Sequence, residues 1–229
     1  MSIRVLSLPL ILALASCAAA PPAPSSPDSA GLAIRVNVRA PVRLFSQDPE
    51  QVLFVRLSGE GGSFTSGEVL PSNYEDGGYL YLLNAPPGTY VAVCCFKDME
   101  PAPAGPAPAG FSVSFRPGST NYTTYFPEDL IRETQVTVRP GQIAFMGDFV
   151  VDQNLGLEEG DPTQRAYYAR FGGGDADENF LMNALGGDYH YRGSKHESEH
   201  GATAQADFVE SANSSLVEAG WSKQSEPEH

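Results

Sequence analysis

The feature that most constrains the fold is a succession of short apolar runs separated by Gly, Pro and Asn. Between Ala33 and Arg39 the residues alternate in polarity, with Ile or Val on one side and Arg or Asn on the other. Such alternation is typical of a strand with one buried face. Similar runs follow at residues 52–57, 79–83, 90–96, 111–115, 122–126, 135–138 and 143–151. Together they predict a mainly β domain over residues 32–152, built as an antiparallel sandwich.

The junction after Tyr79–Leu83 carries a more specific signal. It reads Asn-Ala-Pro-Pro-Gly-Thr-Tyr, in which Pro87 presets the first central position of a turn and Gly88 permits a positive φ at the second. The sequence therefore predicts a tight turn between two apolar strands.

The same Pro-Gly-x-Tyr pattern resembles the hallmark of prealbumin-like sandwiches, the fold of carboxypeptidase regulatory-like domains. The segment Arg139–Asp148 resembles the closing strands of such domains in uncharacterised bacterial lipoproteins, and the resemblance covers about half of the chain. It implies a prealbumin/Ig-like sandwich. It implies no particular activity, because sandwiches of this kind serve as spacers and as binding modules alike.

The amino terminus has the composition of a secretory signal. Arg4 precedes an apolar run from Val5 to Ala15, and small residues follow. The run of about eleven residues is much shorter than the roughly twenty that a membrane-spanning helix needs. We therefore expect residues 1–16 to target the chain for export and then to be removed.

Leu14-Ala15-Ser16-Cys17 resembles the bacterial lipobox. The resemblance implies that residues 1–16 are a lipoprotein signal peptide and that Cys17 receives diacylglycerol and further acyl chains such as palmitate. Each buried CH₂ contributes about 0.8 kcal/mol, so several chains anchor a protein stably. Ala18 after the cysteine resembles an outer-membrane sorting signal, which predicts the periplasmic face of the outer membrane. The alternative is an ordinary secretory signal in which the cysteine is incidental.

Composition indicates a spacer and restricts the partners. Residues 17–31 are mostly Ala, Pro and Ser, which favour extended chain, so a Pro/Ala-rich tether is predicted. The formal net charge is −14, and residues 152–229 contain fifteen Asp and Glu against five Lys and Arg. Because nucleic-acid binding depends on Lys and Arg, we expect no nucleic-acid partner. The expected partners are the membrane, through the lipid on Cys17, and a protein of the envelope.

Beyond the sandwich the periodicity becomes helical, and residues 153–229 are predicted to form an acidic, helical region packed on the sandwich. Isolated helices of this length are marginal in water, so their apolar faces need a partner surface. About three short C-terminal helices are expected, the first from Asp161, the second around residues 180–185 and the third at residues 203–219.

The ends of two of these helices carry capping signals. Asp161-Pro162-Thr163-Gln164 combines an N-cap residue, a proline at the first helical position and a glutamine three residues after the cap. Gly220 is placed to end the last helix in a left-handed conformation. That conformation would fold Trp221 back onto Leu216.

The sharpest catalytic pattern is His196-Glu197-Ser198-Glu199-His200, a formal match to the HExxH motif of zincins. In that motif two histidines one helical turn apart bind zinc and the glutamate activates water. The surroundings argue against it, because Glu199 occupies a position that zincins keep apolar and Gly201 breaks the helix at once. A charged turn before the last helix is the preferred interpretation. His196 and His200, with His190, are weak candidates for a metal site.

Two other patterns fail where their geometry is most demanding. Asp175–Asn179 begins like a calcium-binding loop, but Phe180 and Gly186 stand where glycine and a bidentate glutamate belong. An acidic helix start explains the same residues. The glycines at 172–174 lack the preceding strand and the helix spacing of a phosphate-binding loop.

Cys94 and Cys95 are adjacent, and neighbouring side chains of a strand face opposite ways. We therefore expect two unpaired cysteines, at least one of them buried, with a vicinal disulfide as the alternative. No catalytic residue and no cofactor is predicted. The combined features favour a noncatalytic, membrane-anchored envelope lipoprotein with a binding or structural role. The alternative is a zinc-dependent hydrolase centred on residues 196–200.

Overall fold

The computed structural model describes residues 20–40, 48–58, 67–99, 120–171 and 188–224. The strands are β1 (Gly31–Arg39), β2 (Gln51–Arg56), β3 (Glu68–Pro71), β4 (Tyr74–Asp76), β5 (Tyr79–Leu83), β6 (Gly88–Met99), β7 (Thr120–Tyr125), β8 (Val136–Val138), β9 (Ile143–Asn154) and β10 (Asp188–Glu199). The helices are α1 (Glu128–Glu133), α2 (Pro162–Phe171) and α3 (Ala202–Leu216). The predicted class, a mainly β fold with short helices, is confirmed. In these ranges no helix has the length and apolar character of a membrane span.

The strands form one mixed sheet in the order β3-β2-β6-β7-β10-β9-β1-β5-β4, with β8 paired to β6. An antiparallel sandwich was expected. The sheet is mixed instead, because β1 runs parallel to β9 and β7 runs parallel to β10. The end strands β3 and β4 are separated in sequence only by Ser72 and Asn73. The sheet must therefore curl until its ends meet. Ser72 N donates to Val52 O at 2.8 Å and Asn73 N to Tyr81 O at 2.8 Å, which ties β2 to β5.

Large apolar side chains from both halves of the curled sheet form the main core. Phe54 and Val91 come from one half, and Leu32, Ile34 and Phe149 come from the other. Burying a side chain of this size stabilises the fold by about 1.5–3 kcal/mol. The two halves are thus held face to face in a sandwich-like arrangement.

A second cluster holds α3 against the opposite surface of β1, β5 and β9. The Phe208 ring stacks on Phe145 at 4.8 Å between ring centroids and meets Tyr79 edge-on at 5.6 Å. Phe208, Ala212 and Leu216 are all buried and lie on one stripe of the helix. The expectation that the last helix packs on the sandwich is confirmed.

The strands with clear apolar signals were predicted well. The predicted segments at 33–39, 52–57, 79–83, 90–96, 122–126, 135–138 and 143–151 coincide, within a few residues, with β1, β2, β5, β6, β7, β8 and β9. The predicted strand at 111–115 and helix at 180–185 lie outside the described residues. α1, β3 and β4 were not predicted.

β10 corrects the helical interpretation of the carboxyl-terminal region. Residues 188–199 form a strand between β7 and β9, where a charged turn was expected. Their sequence is polar and shows no apolar alternation, so the strand depends on backbone pairing along both of its edges.

The predicted helix ends are confirmed where they are described. Gln164 N donates to Asp161 Oδ1 at 2.7 Å, and Asp161 N donates to Gln164 Oε1 at 3.1 Å, which completes the capping box of α2. After α3, Gly220 has φ +93°, and Trp221 N donates to Leu216 O at 3.2 Å. Trp221 is buried beside Leu216.

The Pro-Pro-Gly junction differs from its prediction. β5 and β6 are not neighbours in the sheet, so the junction crosses from one half to the other instead of closing a hairpin. The left-handed residue is Asn84, with φ +60°, whereas Gly88 has φ +155°, far from the value near +80° of a type II turn. The Tyr90 hydroxyl donates to Pro86 O at 2.6 Å and fixes the crossing.

Part of the predicted tether lies against the folded body. Trp221 Nε1 donates to Pro22 O at 2.8 Å, and Ser25 N donates to Asn84 Oδ1 at 2.9 Å. Asn84 Nδ2 donates in turn to Ala23 O at 3.0 Å. These bonds hold residues 22–25 on the sandwich. The predicted tether of residues 17–31 is therefore not a free, extended spacer over its whole length.

Candidate functional site

An open pocket of about 410 Å³ lies where β1, β9 and β10 meet the β4–β5 turn. Its charged lining residues are Arg35, Asp148, Glu197 and Glu199. We call it the acidic pocket, because three carboxylates face one guanidinium. A volume in this range is typical of small-ligand sites.

Strand register brings the charged residues together. Arg35 is the register partner of Asp148 across the β1–β9 pair, and Asp148 is the partner of Glu199 across the β9–β10 pair. One row of side chains therefore crosses three strands, since directly opposed residues share a face. A second row consists of Asn37, Val150 and Glu197.

Asp148 is the most unusual group in the pocket. Its side chain is only 10% exposed, and its Oδ2 accepts a hydrogen bond from the Arg35 guanidinium. Its Oδ1 is buried and has no hydrogen-bond partner among the described residues. Burial raises the pKa of Asp148, the charges of Glu199 and Asp207 raise it further, and Arg35 opposes them. Holding this carboxylate ionised therefore costs stability.

The Arg35 side chain is held in place from two directions. Its guanidinium carbon lies 5.0 Å from the centroid of the Tyr79 ring, a cation–π arrangement, while the ion pair with Asp148 fixes the other side. Burial is the main cause that raises the pKa of Tyr79. Arg35 thus positions one oxygen of Asp148 and leaves the other without a donor.

The rim of the pocket is a two-residue hairpin turn. Gly77 and Gly78, between β4 and β5, have φ values of +59° and +80°, as a type I′ turn requires. A Cβ built on Gly78 would lie 3.8 Å from Arg35 Cδ. Glycine at these positions allows the tight turn and keeps side chains away from the rim.

A second polar cluster lies further along the same strands and contains the predicted metal-ligand candidate His196. Arg39 Nε lies 3.4 Å from Asp152 Oδ1, and His196 Nδ1 lies 3.2 Å from Asp152 Oδ2. His196 Nε2 contacts the Arg39 guanidinium. A neutral imidazole protonated on Nδ1 satisfies both contacts, because Nδ1 can donate to the carboxylate and Nε2 can accept from arginine.

The structure does not form the zincin arrangement predicted as an alternative. His196 and His200 lie on and just after β10, and a strand rises about 3.3 Å per residue, so their backbones are roughly 13 Å apart. His200 instead meets the Phe149 ring edge-on at 5.1 Å, and His190 Nδ1 lies 3.2 Å from the Tyr125 hydroxyl. In the described parts of the chain, no three His, Cys, Asp or Glu side chains are grouped to hold a metal ion.

Both predicted free cysteines are unpaired and buried, as expected. Burial raises the pKa of Cys95 to about 12 and that of Cys94 well above its ordinary value. Because the thiolate is the nucleophile, neither group suits covalent catalysis near neutral pH. Cys17, Asp175–Asn179 and the glycines at 172–174 lie outside the described residues, so lipidation of Cys17 stays a prediction.

Sequence reasoning missed the acidic pocket. The alternation predicts only that Arg35, Asn37 and Arg39 share the strand face opposite the Ile and Val residues, and Glu197 and Glu199 were expected in a charged turn. The signal that could have pointed to the site is Asp148, an acidic residue within the otherwise apolar run 143–151.

Comparisons of the chain with protein-family models, with curated proteins and with solved structures gave no match.

Proposed function

We propose that the protein is a noncatalytic binding module, anchored to the bacterial envelope by lipid on Cys17. The observation that carries the proposal is the sequence Leu14-Ala15-Ser16-Cys17. Ala18 favours the outer membrane, with the body in the periplasm. The membrane is then one partner, through the lipid, and a protein of the envelope is the other.

The contacts of residues 22–25 support a short connection between membrane and body. Four residues separate Cys17 from Pro22, the first residue that bonds to Trp221. An extended chain of this length would reach roughly 15 Å. The strongly negative net charge of the chain, to which removal of Arg4 adds, would also keep the body from adhering to an anionic lipid surface.

A noncatalytic role is supported by the state of the reactive groups. The two buried thiols have raised pKa values, both ring nitrogens of His196 are in contact with neighbours, and Asp148 is paired with Arg35. The acidic pocket groups three carboxylates with one guanidinium on the described surface.

The anchor is tested by expressing the full-length precursor in a bacterium with an outer membrane and labelling the cells with alkyne-tagged palmitate. The wild type should carry the label and sediment with membranes, because acyl chains partition into the bilayer. Cys17→Ser should lose the label to background and remain unprocessed.

Two variants complete this test. Cys95→Ala removes a buried thiol and should keep the full label, and Ala18→Asp should move the protein from the outer to the inner membrane fraction. A Cys17→Ser protein that is still labelled and still membrane-bound would disprove lipidation at this residue.

A further inference from the structure

The predicted tether joins the folded body at one end of the sheet. Trp221 Nε1 donates to Pro22 O at 2.8 Å, and Gly141 N donates to Asp28 O at 3.2 Å. The docked segment therefore meets the β5–β6 junction, the β8–β9 turn and the chain that follows α3. We call this surface the tether end and define it by residues 20–30, 84–87, 139–142 and 217–224.

The distance from the predicted lipid to the tether end is short. Pro22 lies five positions after Cys17, and an extended chain of this length reaches roughly 15 Å. β9 runs away from the tether end for twelve residues, Ile143–Asn154, which corresponds to roughly 35 Å. A lipidated body can tilt on so short a connection. It cannot invert, because the opposite end of the sheet would then hold Pro22 too far from the bilayer.

The two ends of the sheet differ in charge. The charged residues of the tether end balance, with Arg139 and Lys223 against Asp28 and Glu218. At the opposite ends of the strands, which we call the far end, carboxylates outnumber cations. The carboxylates there are Asp48, Glu50, Glu75, Asp76 and Asp152, and the cations are Arg39 and Lys97. An anionic lipid surface therefore repels the far end more strongly than the tether end.

The cations of the tether end are available to lipid phosphates. Arg139 and Lys223 are both exposed, and neither forms an ion pair with another described residue. Val217 adds apolar surface at the same end, because its side chain is 42% exposed. Cationic groups beside exposed apolar surface are a combination that suits the headgroup region of an anionic bilayer.

We infer that the tether end is a lipid-contact surface, with Arg139 and Lys223 on the phosphate groups of an anionic bilayer and the far end turned away from it. This inference rests on the proposed lipid anchor and specifies how the anchored body is oriented. The strongly negative charge of the chain as a whole opposes adhesion through its other surfaces. The short connection and the charge difference between the ends thus favour the same orientation.

The test uses the mature protein, acylated on Cys17, in vesicles of phosphatidylethanolamine and phosphatidylglycerol. A fluorophore is attached to Ser222→Cys at the tether end or to Leu155→Cys directly after β9, both exposed positions. Cys94 and Cys95 are buried and should stay unlabelled in the folded protein. Lipids with a nitroxide on the headgroup quench fluorophores at close range. The label at residue 222 should be quenched at least threefold more than the label at residue 155.

Two double variants separate lipid contact from the effect of the short connection. Arg139→Gln/Lys223→Gln should reduce quenching at residue 222 at least twofold in these vesicles and leave it unchanged in vesicles of phosphatidylcholine, which has no net charge. Added salt should reproduce the effect of this variant. Arg39→Gln/Arg165→Gln removes the same number of charges from exposed positions outside the tether end and should have less than half the effect.

The outcomes are separable from those of the lipidation test. Equal quenching of the two labels on vesicle-bound protein would overturn the orientation while the anchor stood. Equal effects of the two double variants would overturn lipid contact by Arg139 and Lys223. A protein that does not bind the vesicles would disprove the anchor and the inference together.

Discussion

At the scale of single residues, Asp148 stands out because its ionised carboxylate is in an energetically unfavourable environment. A carboxylate that is largely buried, with one oxygen paired and the other lacking a donor, is less stable ionised than it would be in water. The ion pair with Arg35 does not compensate fully, because the pKa of Asp148 remains raised. Carboxylates with a perturbed pKa are enriched at functional sites, and they also occur in structural ion pairs.

Because the pKa of Asp148 is raised, the stability of the folded protein should depend on pH. Between its ordinary pKa and its raised pKa in the folded state, the folded protein binds more protons than the unfolded chain, so stability falls as pH rises through this window. In the Asp148→Asn variant this fall in stability is absent, because asparagine does not ionise. At pH 8 its melting temperature should equal or exceed that of the wild type, by up to about 4 °C.

The comparison is made by thermal unfolding of both proteins from pH 3 to pH 8. The advantage of Asp148→Asn should shrink as the pH falls through this window and disappear below the ordinary Asp pKa, where the wild-type carboxyl is protonated in both states. Glu218→Gln is the matched control and should show no such trend. A variant that is less stable than the wild type at pH 8, with a deficit that disappears in acid, would show that the ion pair outweighs desolvation.

At the scale of elements, the sequence predicted those strands whose side chains are mostly apolar or alternate between apolar and polar. β1, β5 and β9 are apolar or alternate clearly, and each appears where it was expected. β10 is polar, and its position between two strands depends on partners that are distant in sequence. β3 and β4 have only four and three residues, too few for a periodicity to be visible.

The end of α3 provides a prediction at this scale. Gly220 has φ +93°, a conformation that disfavours any residue with a Cβ. Gly220→Ala should therefore lower the free energy of unfolding by about 1 kcal/mol, measured by urea denaturation. Ser222→Ala is an exposed substitution two residues further on and should have an effect within about 0.5 kcal/mol. Equal effects of the two variants would mean that the left-handed cap does not contribute to stability.

At the scale of the whole molecule, the acidic pocket depends on the topology of the sheet. Arg35, Asp148 and Glu199 are far apart in sequence and become neighbours only because β9 pairs with β1 on one side and with β10 on the other. The sequence contains no local pattern for this arrangement, since register across parallel and crossover-connected strands is a property of the complete sheet. Strands such as β1 and β9 could therefore be predicted from the sequence, whereas the grouping of charged residues from three strands could not.

The amino-terminal segment also acquires its structure from the whole molecule. Its Pro, Ala and Ser composition predicted a free tether, but Asn84 and Trp221 supply bonds to Pro22, Ala23 and Ser25. These partners lie near residue 84 and at the end of the chain, so local composition could not reveal them. The docked segment shortens the distance over which the body could move from its predicted anchor.

Asn84→Gly tests this docking directly. Glycine adopts the φ of +60° without strain, so the substitution removes the two side-chain hydrogen bonds to Ala23 and Ser25 and leaves the backbone turn intact. Each lost bond should reduce stability by about 0.5–1.5 kcal/mol at most. Hydrogen exchange of the backbone amides around Ser25 should accelerate at least tenfold, while the amides of β1 stay protected, because they bond to β5 and β9. If the Ser25 amide already exchanges in the wild type as fast as in an unfolded peptide, the segment is not docked in solution, and residues 17–25 are free to extend.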